Sequence, residues 1–104
     1  MIVLHVTPAG NTASIMRLGI LTRYAQSAWR RCWVCDPCRE DWARKHVALR
    51  HGCNPCECTV LKLYVEEGKL HSQLPGLYWL EQDIQPEAIQ EVKFGVPVAD
   101  AMGW

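Results

Sequence analysis

The chain has no long apolar run. None of its stretches reaches the roughly eighteen apolar residues that a membrane-spanning helix needs. Its first residues also lack the basic region and apolar run that mark a secretory signal. Both absences predict a cytoplasmic protein that has no membrane partner.

The sequence also has no excess of charge of either sign. Eleven Lys and Arg residues balance eleven Asp and Glu residues, so the formal net charge is zero. A neutral chain has no general electrostatic attraction to nucleic acid or to anionic lipid. Basic residues nevertheless concentrate in one window, which contains Arg30, Arg31, Arg39, Arg44, Lys45 and Arg50. This window forms either a solvated helix face or a surface for a phosphate-bearing ligand.

Internal repeats, low-complexity segments and linkers are absent as well. The 104 residues leave room for one hydrophobic core but not for two. Hydrophobic residues make up 49% and charged residues 21%, which is close to the globular average and argues against a disordered chain. A single domain spanning residues 1–104 is therefore predicted.

The most informative local pattern lies in residues 3–22. Apolar side chains alternate through its first part, which predicts a strand with His5 on one of its two sides. Asn11 or Thr12 would cap the helix that follows, and Gly19 suits the position just beyond its end. The segment is therefore predicted to form a strand, a helix and a short strand.

Other patterns predict a second helix and further strands. An N-cap at Asp36, a proline at the first helical position and a glycine stop at Gly52 predict a helix over residues 37–51. Strands are predicted over residues 29–35, 58–65, 77–80 and 92–96. This order indicates an α+β fold, a small domain with a mixed or antiparallel sheet of about five to six strands and two helices.

Two parts of the chain resemble one known family. The first part comprises His5-x-Thr7, Asn11, Ser14-Ile15 and Gly19-Ile20. It resembles the opening strand and helix of the ADP-ribosyltransferase-like fold, as seen in DNA-targeting ADP-ribosyltransferase toxins and in RNA 2′-phosphotransferases. The second part, which looks like the late strands of that fold, comprises Gly76-Leu77-Tyr78, Asp83-Ile84, Pro86 and Ile89. The other interpretation of His5 is a half-buried strand histidine bonded to the backbone.

The resemblance implies a site for NAD, as a substrate, or for another phosphorylated ribose, in a cleft between the His5 strand and the Tyr78 strand. His5 and Thr7 would hold the ribose, and Tyr78 or Trp79 would flank the base. His5 and Glu81 are the candidate catalytic residues, although Glu81 is displaced from the toxin branch's glutamate position and also fits an exposed turn. The phosphotransferase branch dispenses with that glutamate and holds a 2′-phosphate with arginines and histidines. The acceptor, nucleic acid or protein, and the oligomeric state stay open.

The cysteines support a competing hypothesis. The six of them are Cys32, Cys35, Cys38, Cys53, Cys56 and Cys58. In a chain predicted to be cytoplasmic, metal binding or free thiols are favoured over disulfides. The helix predicted over residues 37–51 would separate the two Cys-x-x-Cys pairs by about 20 Å, too far for one shared zinc ion.

A smaller zinc site stays open at the end of that helix, where His51, Cys53, Cys56 and Cys58 lie close together in the sequence. The alternative function is therefore a non-enzymatic module, zinc-binding or stabilised by its cysteines. In such a module exposed tryptophans would contact a partner.

Overall fold

The structure is a computed structural model that describes residues 1–22 and 31–95. The ends of two predicted strands, residues 29–30 and 96, lie outside the described residues. Within them the strands are β1 (Ile2–Pro8), β2 (Cys32–Cys35), β3 (Cys58–Tyr64), β4 (His71–Leu74), β5 (Leu77–Leu80) and β6 (Ile89–Lys93). The helices are α1 (Thr12–Leu18) and α2 (Glu40–His51). Neither helix is long and apolar enough to cross a membrane.

The six described strands form one antiparallel sheet in the order β4-β5-β2-β1-β3-β6. β1 therefore lies inside the sheet, although it comes first in the chain. It pairs with β3 along its whole length, from Ile2 opposite Tyr64 to Pro8 opposite Cys58. The predicted α+β class, with an antiparallel sheet and two helices, is confirmed for the described residues.

The alternation of side chains in β1 divides the interior into two clusters. Val3 packs with Leu61 and Leu63 on the side of the sheet that α1 covers. Leu4 packs with Ala43 of α2 on the opposite side. Because side chains alternate along a strand, His5 lies on the same side as Val3, as the sequence predicted, and the structure places this side toward α1.

The start of α1 lacks the side-chain cap that the sequence predicted. Neither Asn11 nor Thr12 caps the helix with its side chain. Asn11 Nδ2 donates to Thr7 Oγ1 at 3.1 Å, and Thr12 Oγ1 donates to Thr59 Oγ1 at 2.8 Å. These side chains form hydrogen bonds with the sheet and not with the amides of the first helical turn. They therefore link α1 to β1 and β3. The stop at Gly19 is confirmed, with φ at +83°.

The second helix also begins differently from the prediction. A 3-10 turn over Pro37–Arg39 precedes α2, and the Asp36 side chain makes no cap. Instead, Tyr78 Oη donates to Asp36 Oδ2 at 3.3 Å. Gly52 ends α2 in the left-handed conformation, at φ +67°, as predicted.

Two strands toward the C-terminal end were missed or misplaced by the sequence patterns. β4 was not predicted, because all four of its side chains are exposed and the segment has no buried alternation. β6 begins at Ile89, earlier than the predicted Val92, and pairs with β3 across a bulge. The short strand predicted after Gly19 is a single bridge between Ile20 and Ile84.

Candidate functional site

A cavity of about 990 Å³ adjoins the contact between β1 and β2. These strands are joined at one residue pair only, Leu4 opposite Cys35. The rest of β1 has no backbone partner among the described residues on this edge, which leaves space between the strands. α1 and α2 contribute further walls. The volume lies within the range of about 300–1,000 Å³ that is typical of small-molecule sites.

The opening block of the chain forms one wall of this cavity. The lining includes every residue on which the family resemblance of this block rests, namely His5, Thr7, Asn11, Ser14, Ile15, Gly19 and Ile20. They converge because the strand, the turn and the helix are consecutive and α1 folds back onto the sheet. The structure therefore brings His5 and Thr7 together at one site.

His5 is held in a defined tautomer. Its Nδ1 lies 2.8 Å from the carbonyl oxygen of Trp33, and a carbonyl can only accept, so Nδ1 carries a hydrogen. Burial lowers the pKa of His5, and the bond to Trp33 opposes this effect only in part. The ring is therefore neutral near pH 7, and its Nε2 carries a lone pair. Within the described residues no buried side-chain nitrogen or oxygen lacks a partner, so the unbonded Nε2 must be open to the cavity.

Thr7 and Asn11 form a polar pair beside His5. Thr7 is buried, and its hydroxyl oxygen accepts from the Asn11 amide. This bond leaves the Thr7 hydroxyl hydrogen and the Asn11 carbonyl oxygen for other partners. The wall thus combines a histidine acceptor with a hydroxyl donor in a fixed arrangement.

The charged side chains that line the cavity are all basic. Among the described residues these are Arg17, Arg31 and Arg50, joined by His46 and His51 of α2. None of the described lining residues is Asp or Glu, although the whole chain is neutral. The cavity is therefore suited to an anionic ligand.

Part of this basic lining could be predicted from the sequence. Arg31 and Arg50 belong to the basic window, and helical spacing places His46 and Arg50 on one face of α2. Two arginines of the same window lie elsewhere: Arg39 donates to the Pro75 carbonyl oxygen, and Arg44 pairs with a glutamate of α2. Charge alone could not distinguish the arginines that line the cavity from those that lie elsewhere.

The other residues implied by the resemblance lie away from the described lining. β2 lies between the His5 strand and the Tyr78 strand, so the predicted cleft between those strands is filled by a strand. Tyr78 shares the side of His5, about 10 Å away at the usual strand spacing. Trp79 lies on the opposite side of the sheet, and Glu81 is an exposed residue just after β5.

The candidate zinc ligands are not assembled into a metal site. Among the described residues there is no group of three or more His, Cys, Asp or Glu side chains that could hold a metal ion. His51 and Cys56 are exposed, whereas Cys58 is fully buried. Burial and the neighbouring Cys53 raise the pKa of Cys58 to about 11, which disfavours the thiolate that zinc requires.

Two buried thiols predict a pH dependence of stability. Burial raises the pKa of Cys32 from 9.0 to about 12 and that of Cys35 to about 11. In the unfolded chain these thiols ionise near their ordinary pKa, so alkaline pH favours unfolding. We expect their full stabilising effect below pH 9 and its progressive loss as the pH rises from 9 toward 12. Denaturant titrations under reducing conditions should show the decline, and Cys32→Ala should reduce its slope. An equal slope in both proteins would contradict the assignment.

Comparisons with known protein families and with curated protein sequences find no match to this chain.

Proposed function

We propose that this chain binds NAD or another phosphorylated ribose in the cavity beside His5. The observation that carries the proposal is the cavity itself. The opening block that resembles the ADP-ribosyltransferase-like fold forms one wall, and the charged side chains of the described lining are all basic. A ligand that combines ribose hydroxyls with phosphates matches both properties.

The ribose is assigned to His5 and Thr7 by their hydrogen-bonding capacity. Neutral His5 presents the lone pair of Nε2 and therefore accepts a hydrogen bond from a ligand hydroxyl. A phosphate at this position would need a donor, which requires a charged ring that burial disfavours. Thr7 can donate its hydroxyl hydrogen to a second ribose oxygen, because its own oxygen is engaged by Asn11.

The phosphates are assigned to the arginines that line the same cavity. A guanidinium group offers several N–H donors in a planar fork that matches two phosphate oxygens. Arg17 lies on α1, on the side of the sheet that His5 faces, whereas Arg31 and Arg50 line the part of the cavity on the α2 side of the sheet. Arg17 is therefore the arginine placed to hold a phosphate next to a ribose bound at His5.

The basic lining also bears on the reaction that would follow binding. Cleavage of a glycosidic bond develops positive charge on the sugar, which a nearby carboxylate commonly stabilises. The described lining supplies no carboxylate, and Glu81 lies outside it. We therefore favour the phosphotransferase form of the resemblance, in which a substrate phosphate held by arginines supplies negative charge beside the sugar. Transfer of ADP-ribose to a nucleic acid or protein acceptor is the second form of the proposal.

A thermal-shift titration with NAD and with ADP-ribose tests the proposal. A ligand at about one hundred times its Kd should raise Tm by on the order of 10 °C in a domain of this size. His5→Ala should abolish the shift and change the Tm of the free protein by only a few degrees, because the ring is only partly buried and makes one close hydrogen bond, to Trp33, beside a long contact with Cys32 Sγ at 4.0 Å. His71→Ala is the matched control, because His71 is exposed and lies outside the described lining.

Two results would count against this function. A large loss of stability in His5→Ala, with ligand binding intact, would show that His5 serves the fold alone. No ligand shift, together with about one zinc per chain by elemental analysis of the same preparation, would favour the cysteine-based interaction module.

A further inference from the structure

The two edges of the described sheet differ in their chemistry. β4 forms one edge, where a register shift interrupts its pairing with β5, and it contains no Lys, Arg, Asp or Glu. β6 forms the other edge, and among the described residues only β3 pairs with it. The register shift of β6 lies before Glu91, so residues 91–93 pair regularly with β3. The free side of this regular segment presents backbone donors and acceptors to which a further strand can bind.

Opposite charges flank an apolar residue in this segment. Val92 packs against the core on the α1 side of the sheet. Glu91 and Lys93 therefore lie on the α2 side, where Glu91 pairs with Lys62 at 3.7 Å and Lys93 with Glu40 at 3.0 Å. The side chains of Glu91 and Lys93 are each still 56% exposed. Both charges are therefore accessible to a further strand at this edge.

This alternation makes β6 complementary to a second copy of itself. Two copies of an edge strand pair antiparallel about a two-fold axis perpendicular to the sheet, and residues directly opposite each other then point to the same side. With the axis at Val92, Glu91 of each copy lies opposite Lys93 of the other, which gives two pairs of opposite charge. With the axis at Glu91 or at Lys93, like charges meet on the axis. The charges therefore favour the register centred on Val92.

A groove beside β6 can receive a side chain of the second copy. It has a volume of about 260 Å³ and lies between α1 and β6, where its lining includes Met16, Pro86, Ile89 and Gln90. Met16 is 47% exposed, so the groove has an apolar wall that the described residues leave open. An apolar cavity of about 150 Å³ can hold a benzene ring. The groove therefore has room for one aromatic side chain.

Phe94 is the aromatic side chain that the two-fold arrangement brings to this groove. Phe94 directly follows β6, is 65% exposed and does not line the groove of its own chain. Alternation along the strand places it on the side of Val92, which is the side of the groove. In the register centred on Val92, Phe94 of each copy lies opposite Gln90 of the other copy. The contact therefore brings an exposed ring to an apolar groove on both sides of the axis.

We propose that the β6 edge binds a second copy of this chain and forms a two-fold symmetric dimer with one sheet continuous through both copies. Opposite charges determine the register, and Phe94 is the apolar anchor. Because both copies use the same surface, the contact closes after two molecules. The proposal goes beyond the nucleotide cavity and does not depend on it, because β3 lies between β6 and the His5 strand.

Sedimentation equilibrium of the full chain under reducing conditions tests the dimer. The contact involves few residues, so we expect a reversible equilibrium with a Kd on the order of 10 μM. Phe94→Ala should weaken dimerisation at least about tenfold, because it removes the aromatic anchor from the centre of the contact. Leu74→Ala is the matched control and should leave the Kd unchanged. Leu74 is an apolar residue of β4 with a similar exposure, at the opposite edge of the sheet.

Two charge variants test the register itself. Glu91→Lys and Lys93→Glu each place like charges opposite one another in their own homodimers. Each variant alone should therefore dimerise at least about tenfold more weakly than the parent. An equal mixture of the two should form a heterodimer within about threefold of the parent affinity, because both facing pairs again have opposite charge. Mixing cannot restore a variant whose fold is lost, so recovery reports on the contact alone.

Several results would overturn the proposal. A protein that stays monomeric up to about 1 mM has no such contact. Assemblies larger than the dimer would show that β6 of one copy meets β4 of the next. Equal losses in Leu74→Ala and Phe94→Ala, or no recovery in the mixture of charge variants, would also exclude the register. His5→Ala should dimerise like the parent, so the nucleotide proposal and this one can fail separately.

Discussion

Replacing Gly19 by Ala is expected to lower the free energy of unfolding by about 4 kcal/mol. Gly19 has φ +83° and ψ −172°, a region of backbone conformation that is essentially restricted to glycine. A Cβ at this position would overlap the carbonyl oxygen of Ile84 and would contact Pro86 at 3.1 Å. Backbone strain and steric overlap therefore add. Because small domains have only about 5–15 kcal/mol of stability, such a loss is severe.

The overlap occurs where two distant segments meet. The Ile84 carbonyl oxygen accepts from the amide of Ile20 at 2.8 Å, and Ile84 N donates to the Ile20 carbonyl oxygen at 2.9 Å. Moving Ile84 to make room would break this bridge at the lining of the cavity. We therefore expect Gly19→Ala to weaken the NAD shift as well.

Gly52→Ala is the control for this prediction. Gly52 also has a positive φ, +67°, but nothing lies within 4 Å of an added Cβ. Only the left-handed conformation then carries a cost, of about 1 kcal/mol. Urea unfolding of the three proteins measures both effects, and equal losses in the two variants would show that contact with Ile84 contributes nothing.

The two glycines also show which features of the structure the sequence could predict. Both were expected to end helices, because each follows an amphipathic segment, and both do. The contact of Gly19 with Ile84 could not be predicted, because it depends on how the sheet brings together residues that are far apart in the chain. Local sequence signals predict where both helices end. The difference between the stability losses expected for the two glycine variants comes instead from tertiary packing.

The candidate site likewise combines features that local sequence patterns predict with features that depend on tertiary structure. Alternation in β1 placed His5 and Thr7, and those residues do share a wall of the cavity. The cavity itself exists because β1 and β2 are joined at a single residue pair, which no local pattern encodes. The groove beside β6 was missed because Met16 and Ile89, which line it, are far apart in the chain.

The second large effect is expected for Thr59→Val. Thr59 is fully buried in β3, and its hydroxyl oxygen accepts two hydrogen bonds, from Thr12 Oγ1 and from Gly95 N, both at 2.8 Å. Valine has nearly the same shape but cannot accept either bond. Each buried donor left without a partner costs about 1–3 kcal/mol, so we expect a loss of about 3 kcal/mol in the free energy of unfolding. Thr59→Ser should cost only about 1 kcal/mol, because it keeps the hydroxyl and loses a methyl group.

A double substitution tests whether the loss comes from the orphaned donor. Thr12→Val removes the hydroxyl that Thr59→Val would leave without a partner, so it should cost less in the Thr59→Val background than in the parent protein. Additive losses would mean that the Thr12 hydroxyl finds another partner. A positive coupling would show that this bond anchors α1 to β3. Since α1 carries Ser14 and Arg17 of the cavity lining, the same bond would then hold the helical wall of the nucleotide site in place.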